Sequence, residues 1–351
     1  HANAVLNMYL SGQAGACATL DLLTGAQNPC GKLNETWPKK LSDTPTAGNY
    51  PSYEPESFFK EGLFVGYRYY QTAGVEVAYP FGFGLSYTSF EYSDLVVSSD
   101  ENNNTRATVT VTNTGDRAGK EIVELYVSLL GERIRPRREL KAFKKVLLQP
   151  CESCEVSFTL DDRAFSYYNA QTKSWEIEQG TYVLEVGASS EDIRLTAEVK
   201  QAGTGAPAPD IANISPMYLT GKVQSVSLQE FGQLYGKPLH KKAVKISSEM
   251  CFRDLNHGRS PVFWLIWAIL THLAKPKANG IPDLNVHFIY NMPLHALTKS
   301  TGGAISKEMI DALVLELMGF WIIGFLLFMV RGIQNSIKNS QFQVKYLDEE
   351  R

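Results

Sequence analysis

From residue 106 to residue 199 the chain alternates apolar and polar positions in short runs. The runs are RATVTVTN at 106–113, EIVELYVSL at 121–129, ELKAFKKVLL at 139–148, EVSFTL at 155–160, TYVLEVGAS at 181–189 and IRLTAEV at 193–199. Successive side chains of a strand point to opposite faces, so a period of two marks strands with one face buried. NTGD at 113–116 supplies a turn. Short strands at regular spacing with turns between them predict an antiparallel β-sandwich.

The pattern before this region is different. Val5, Leu6, Met8, Tyr9 and Leu10 form a short apolar run, SGQAGA at 11–16 is a small-residue turn, and 16–23 has helical spacing that stops at Gly25. Strand, turn and helix in that order predict an α/β unit, with glycine as the helix cap. Residues 39–60 are polar and broken by Pro45, Pro51 and Pro55, which predicts a loop. The stretch 62–95 is crowded with aromatics, from Phe64, Tyr67, Tyr69 and Tyr70 to Tyr87, Phe90 and Tyr92, and is punctuated by five glycines. Rings beside backbone bends predict a rigid packed loop here, with neither helix nor regular strand.

After the strands, QAGTGAPAPDIANIS at 201–215 reads as a linker. SLQEFGQLYGKPL at 227–239 reads as a short helix ending near Gly236, with Ser227 and Glu230 forming a capping box. Two apolar segments follow, at 261–275 and 317–330. Neither reaches the roughly twenty residues that span a bilayer. The longer stretch 312–330, which begins at Ala312 and stops at Val330, predicts a hydrophobic helix that docks on protein or touches a membrane surface. Taken together, the predicted fold is multi-domain: a partial α/β sandwich segment at 1–95, the antiparallel β-sandwich at 96–200, a linker at 201–225 and a helical tail at 226–351.

The net charge of −3 over 351 residues argues against a nucleic-acid partner. The five cysteines are Cys17, Cys30, Cys151, Cys154 and Cys251, an odd number at low density. That excludes a disulfide scaffold and points to a reducing, cytoplasmic setting, with membrane association through 312–330 as the alternative. The sequons at Asn34, Asn103 and Asn213 are then accidental. Cys151 and Cys154 fall in a turn between strands, not at the helix N-terminus that activates a redox pair. The basic run Arg133, Arg135, Arg137, Arg138, Lys141, Lys144 and Lys145 reads as a solvated sheet edge that blocks strand addition. The histidines do not cluster, no phosphate-binding glycine motif is present, and no metal or cofactor is expected.

Several segments resemble glycoside hydrolase family 3, the β-glucosidase and β-xylosidase family. EGLFVGYRYY at 61–70 with YPFGFGLSYTSFEYS at 79–93 is similar to the end of that family's second domain. NPCGKLNETWP at 28–38 resembles its NPSGKLPETFP segment, with Cys30 and Asn34 departing from it. Asn113 to Glu121, Glu124 to Val127, Arg135, Pro136, Arg138 to Phe143 and Gly180 to Tyr182 resemble the fibronectin type III-like domain that trails many such enzymes. YNMPLHALTKSTGGAISKEMIDALV at 290–314 resembles, more loosely, an accessory tail of some bacterial members. The resemblance implies a retaining enzyme that removes terminal β-linked glucose or a related sugar. It also implies that the nucleophilic aspartate lies in a preceding barrel and the acid/base glutamate earlier in the second domain. Retention needs two carboxyl groups about 5–5.5 Å apart, and neither family motif occurs in this chain. The chain is therefore expected to be an inactive fragment that serves as scaffold. The only substrate partner implied is a β-linked glucoside, held through the missing domains. Glu61 is the one acidic residue beside a resemblance-bearing cleft segment, and a structural hydrogen-bond role is favoured over catalysis for it. Gln13, at a predicted strand end, is the candidate for a substrate-proximal residue, and Lys32 reads as a solvated turn lysine. The competing hypothesis is a non-catalytic sandwich acting as an interaction or membrane-anchoring module.

Overall fold

The computed structural model describes residues 3–50, 57–101, 104–131, 134–207, 211–239, 244–276 and 283–349, the last few by backbone alone. Pro51, Pro55, Asn103, Arg133 and His240 fall outside the described residues. The chain divides into two units, the first ending near residue 240 and the second beginning there.

The first unit starts with helix α1 (Gly15–Thr24), closed by Gly25 in the left-handed conformation, as its sequence predicts. The expected strand at 5–10 does not form. Leu10 is fully exposed and Tyr9 has φ 48°. A lone apolar run has no neighbour to receive its backbone hydrogen bonds, so it does not become a strand. A short strand β1 (Trp37–Pro38) then pairs antiparallel with β2 (Val77–Tyr79), and Trp37 meets Tyr79 edge-on at 5.9 Å.

The aromatic stretch is not the irregular loop that its glycines and proline predict. It forms helix α2 (Tyr67–Ala73) between Gly66 and Gly74, then β2, and it feeds strand β3 (Phe90–Ser99). Residues 62–66, 74–76 and 80–89 stay irregular, as predicted. The glycines delimit the elements rather than preventing them. Phe64, Tyr69 and Tyr70 form a buried cluster with Tyr218, Val223 and Val226. Residues 211–226 thus pack back on the aromatic stretch, with the Tyr218 hydroxyl donating to the Lys60 carbonyl at 2.6 Å.

The sandwich has two sheets. One is three-stranded, β3–β4–β7, with β4 at Thr105–Asn113 and β7 at Ser153–Leu160. The other is four-stranded, β11–β10–β5–β6, with β5 at Gly119–Leu129, β6 at Glu139–Leu148, β10 at Gly180–Gly187 and β11 at Ile193–Gln201. All pairings are antiparallel. Alternate residues Ala107, Val109 and Val111 of β4 face Val123, Leu125, Leu184 and Val186 in one core. Between β7 and β10 lie a short helix α3 (Asp162–Phe165) and a hairpin, β8 (Ser166–Asn169) with β9 (Ser174–Ile177). β6 is an edge strand that exposes Lys144 and Lys145, as the basic run predicts. Arg138 departs from that prediction. It is buried, 3.0 Å from Glu185, and donates to the Ser190 carbonyl at 2.7 Å, because it turns under the sheet instead of out to solvent.

Helices α4 (Met217–Thr220) and α5 (Leu228–Tyr235) close this unit. The α5 capping box between Ser227 and Glu230 forms as read from the sequence.

The second unit is helical: α6 (Pro261–Leu273), α7 (Leu284–Asn291), α8 (Leu297–Ser300), α9 (Lys307–Leu317) and α10 (Trp321–Glu349). Leu255, Phe263, Leu294, Ile310 and Leu317 form its core. The apolar stretch 312–330 is not one hydrophobic helix. It breaks at Gly319, whose φ of 106° suits glycine, and α10 turns back along α9. A methyl at Gly324 would lie 2.8 Å from the Ala312 carbonyl oxygen, so the two helices touch backbone to backbone there. Among the described residues no helix is long and apolar enough to cross a membrane.

Candidate functional site

The segment NPCGKL lies between the aromatic stretch and the start of β5, and its Asn28 and Lys32 side chains are both hydrogen-bonded. Asn28 donates to the Ala118 carbonyl at 3.1 Å and accepts from the Tyr87 amide and the Ser86 hydroxyl. The Leu33 amide donates to Phe83 and the Gly82 amide donates back to Leu33, both at 2.8 Å. This two-way exchange runs between residues fifty positions apart and forms a short backbone clamp. Gly84 permits it: a methyl there would lie 2.2 Å from the Gly31 carbonyl oxygen.

Lys32 is not a solvated turn lysine. Its side chain is 10% exposed, and its ammonium sits 3.1 Å from Glu121 and 3.0 Å from the Ala188 carbonyl. Glu121 is equally buried and also accepts from the Tyr92 hydroxyl at 3.0 Å. Turn lysines are exposed by default, but here the clamp carries Lys32 across the sheet end, where β5 offers an inward carboxylate. The same clamp covers the other face of β5. Glu124 and Tyr126 belong to that face and would be exposed in a free sandwich, yet both are buried. The Tyr67 ring stands edge-on to Tyr126 at 5.9 Å, and the Tyr126 hydroxyl donates to Glu124. Gly82 lies against the Glu124 carboxyl, leaving no room for a methyl.

Burial pushes the Glu124 carboxyl up to about 7; the Tyr126 hydrogen bond and Lys32 pull it down, and Glu121 pushes it up. Burial beside the two glutamates raises the hydroxyls of Tyr92 and Tyr126 as well. The consequence for stability has a definite sign. A carboxyl raised on folding stabilises fully below its ordinary value of 4.5, and that contribution is lost as pH rises through about 7. The shift corresponds to about 3 kcal/mol at most. Glu124→Gln, which cannot ionise, is expected to match the parent at pH 4.5 and to exceed it by up to that amount at pH 8. Urea unfolding at the two pH values measures this. A variant less stable than the parent at pH 8 would show that Glu124 is ionised and supportive.

The residues singled out from sequence do not come together. Gln13 is exposed in the turn that opens α1. Glu61 is 6% exposed, in the turn before Phe64, and its charge acts on the Tyr218 hydroxyl. No hydrogen bond joins the two among the described residues. Cys151 sits in the β6–β7 turn and Cys154 on β7, and burial raises the Cys154 thiol, the opposite of redox activation. Glu121 and Glu124 were missed because acidic residues on strands default to solvated edges. The available signal was Glu121 itself, a charge at a core-facing position of an otherwise alternating strand.

Residues 1–87 match the glycosyl hydrolase family 3 C-terminal domain, and residues 121–190 match the fibronectin type III-like domain. The chain carries the C-terminal domain of glycosyl hydrolase family 3 joined to a fibronectin type III-like sandwich. The thermostable β-glucosidase B of Acetivibrio thermocellus is 50% identical over 314 residues, which is 88% of this chain and 37% of that protein. An exo-α-(1→6)-L-arabinopyranosidase of Bifidobacterium breve is 41% identical over 210 residues, 60% of this chain and 28% of its own length. Among solved structures, a family 3 β-glucosidase of Bifidobacterium adolescentis matches with a TM-score of 0.55 at 44% identity, covering 57% of this chain and 30% of the other. β-Glucosidase 3B of Thermotoga neapolitana, solved with glucose, matches with a TM-score of 0.51 at 42% identity over 55% and 27%. The chain thus spans little more than a third of the length of these relatives, or less.

Proposed function

We propose that this chain is the scaffold portion of a retaining glycoside hydrolase that removes a terminal β-linked glucosyl or related residue. The clamp carries this reading. Asn28 and Lys32 fix the family 3 segment to the sandwich through a hydrogen bond to the Ala118 carbonyl and a buried ion pair with Glu121, while the backbone exchange of Leu33 with Gly82 and Phe83 ties it to the aromatic stretch. The sandwich then holds that segment in one register, which is what preorganised positioning of a sugar site requires. The reacting carboxylates belong to residues outside this chain. Within it, Gln13 remains our candidate for a substrate-proximal residue, and its exposure in the turn before α1 is compatible with that role.

The test is hydrolysis of a nitrophenyl β-glucoside by this chain and by a longer protein carrying upstream sequence. A nitrophenyl α-L-arabinopyranoside is run beside it, since one relative bears that activity in its name. Turnover by the longer protein alone is the expected result. Turnover by the short chain would overturn the scaffold reading, and Glu61→Gln would then be made first. Silence of both would favour a non-catalytic interaction module.

A further inference from the structure

The β8–β9 hairpin belongs to neither sheet of the sandwich. Tyr168 and Trp175 are directly opposite each other on it, with ring centres 5.5 Å apart. Cross-strand partners share one face, so the two rings adjoin there, with their planes inclined at 60°. They are 51% and 45% exposed and take part in no buried cluster. Two adjoining rings left about half exposed outside any hydrophobic core mark a contact surface.

The surface is held rigid. Asn169, fully buried, donates to the Pro207 carbonyl at 3.0 Å and accepts from the Gln171 amide. The Thr204 amide donates to the Ile177 carbonyl at 2.9 Å, tying β9 to the returning chain. The Arg163 guanidinium stacks on Trp175 at 3.1 Å from the ring centre. A preordered ring loses little freedom on binding.

The rings border a groove of about 1230 Å³. Arg135, Glu139 and Glu178 line it, and its walls hold four basic and three acidic side chains in all. Most of these charges are already paired within the protein: Arg135 with Glu178 at 3.9 Å, Glu139 with Arg68 at 3.5 Å and with Lys141 at 3.3 Å. A nearly balanced groove does not attract a polyanion or a strongly charged peptide. It offers donors and acceptors beside an apolar ring plane, which matches a neutral chain of pyranose units: hydroxyls at the rim of each ring, C–H groups on its faces. Its volume exceeds what a single sugar fills and lies above the usual range of small-molecule clefts, as an extended ligand requires.

We infer that this groove of the fibronectin type III-like sandwich binds a neutral β-linked oligosaccharide, with Tyr168 and Trp175 as its stacking surface. The choice of a β-glucan rests on the glycosidase reading, and the groove itself does not. The experiment is calorimetric titration of the β-1,4-linked glucose tetramer into the chain. Saturable binding is expected, weakened about tenfold by Trp175→Ala and by Tyr168→Ala. Tyr235→Ala, which removes an exposed ring from α5, should leave it unchanged. The unmodified protein gives a second measurement: the tetramer must shift the Trp175 indole N–H resonance. Absence of saturable binding at millimolar tetramer, an unmoved Trp175 resonance, or tighter binding of a proline-rich peptide or a sulfated polysaccharide would overturn the proposal. No bond is cleaved in this assay, so its failure is separate from failure of the hydrolysis test.

Discussion

Lys32→Met is expected to destabilise the first unit by about 3–5 kcal/mol, the usual consequence of removing one partner from a buried ion pair. The substitution keeps the aliphatic stem and removes only the charge. Glu121 is then left buried, its carboxylate supported by the Tyr92 hydroxyl alone. The Ala188 carbonyl loses its donor as well. The double variant Lys32→Met with Glu121→Gln should recover most of the loss, since the isolated charge is gone and Tyr92 keeps an acceptor. Urea unfolding gives the magnitudes, and hydrogen exchange along Gly119–Leu129 places the effect on β5. A single variant within 1 kcal/mol of the parent would mean that Glu121 reaches solvent and that the pair is not what holds the segment down.

Gly84→Ala should cost about 3 kcal/mol, at the upper end of what overpacking produces. The added methyl would stand 2.2 Å from the Gly31 carbonyl oxygen and 3.2 Å from the Lys32 stem. Two backbones cannot change rotamer to make room, so the clamp between Leu33 and Phe83 must open. Gly31→Ala makes the informative comparison. It sits across the same contact, yet its own methyl would meet nothing within 4 Å, so a change within about 0.5 kcal/mol is expected. Thermal unfolding of the two variants checks the asymmetry. Equal costs would show that the glycines matter for chain flexibility and not for this approach. On the proposed function, Gly84→Ala in the longer protein should also lower β-glucoside turnover more than its stability loss explains, because the family 3 segment loses its register.

How much was legible depended on the range of the interaction. Six strands of the sandwich, from 106–113 to 193–199, were readable because their pattern answers to one buried face and to turns a few residues long. β3 was not, because its residues FEYSDLVVSS continue an aromatic stretch whose glycines dominate the local signal. The β8–β9 hairpin was missed for a similar reason: four-residue strands are too short to show a period. At the candidate site, Gln13 and Glu61 could be named from sequence, but their separation onto an exposed turn and a buried one could not.

What the sequence determined by itself is everything that closes within a few residues. Gly25 ends α1, Ser227 and Glu230 cap α5, and alternation sets which face of β4 is inward. What only the tertiary structure decided is where polar groups and apolar runs end up when distant segments meet. Lys32 and Glu121 lie 89 positions apart, and nothing local distinguishes a lysine that stays in solvent from one delivered to a buried carboxylate. Glu124 and Tyr126 read as one exposed face of β5 until the aromatic stretch covers it. The apolar run 312–330 reads as one helix until α9 and α10 fold on each other at Gly324. Local propensity is set by each residue's own backbone and nearest neighbours, whereas burial and charge are set by whichever segment of the fold arrives opposite.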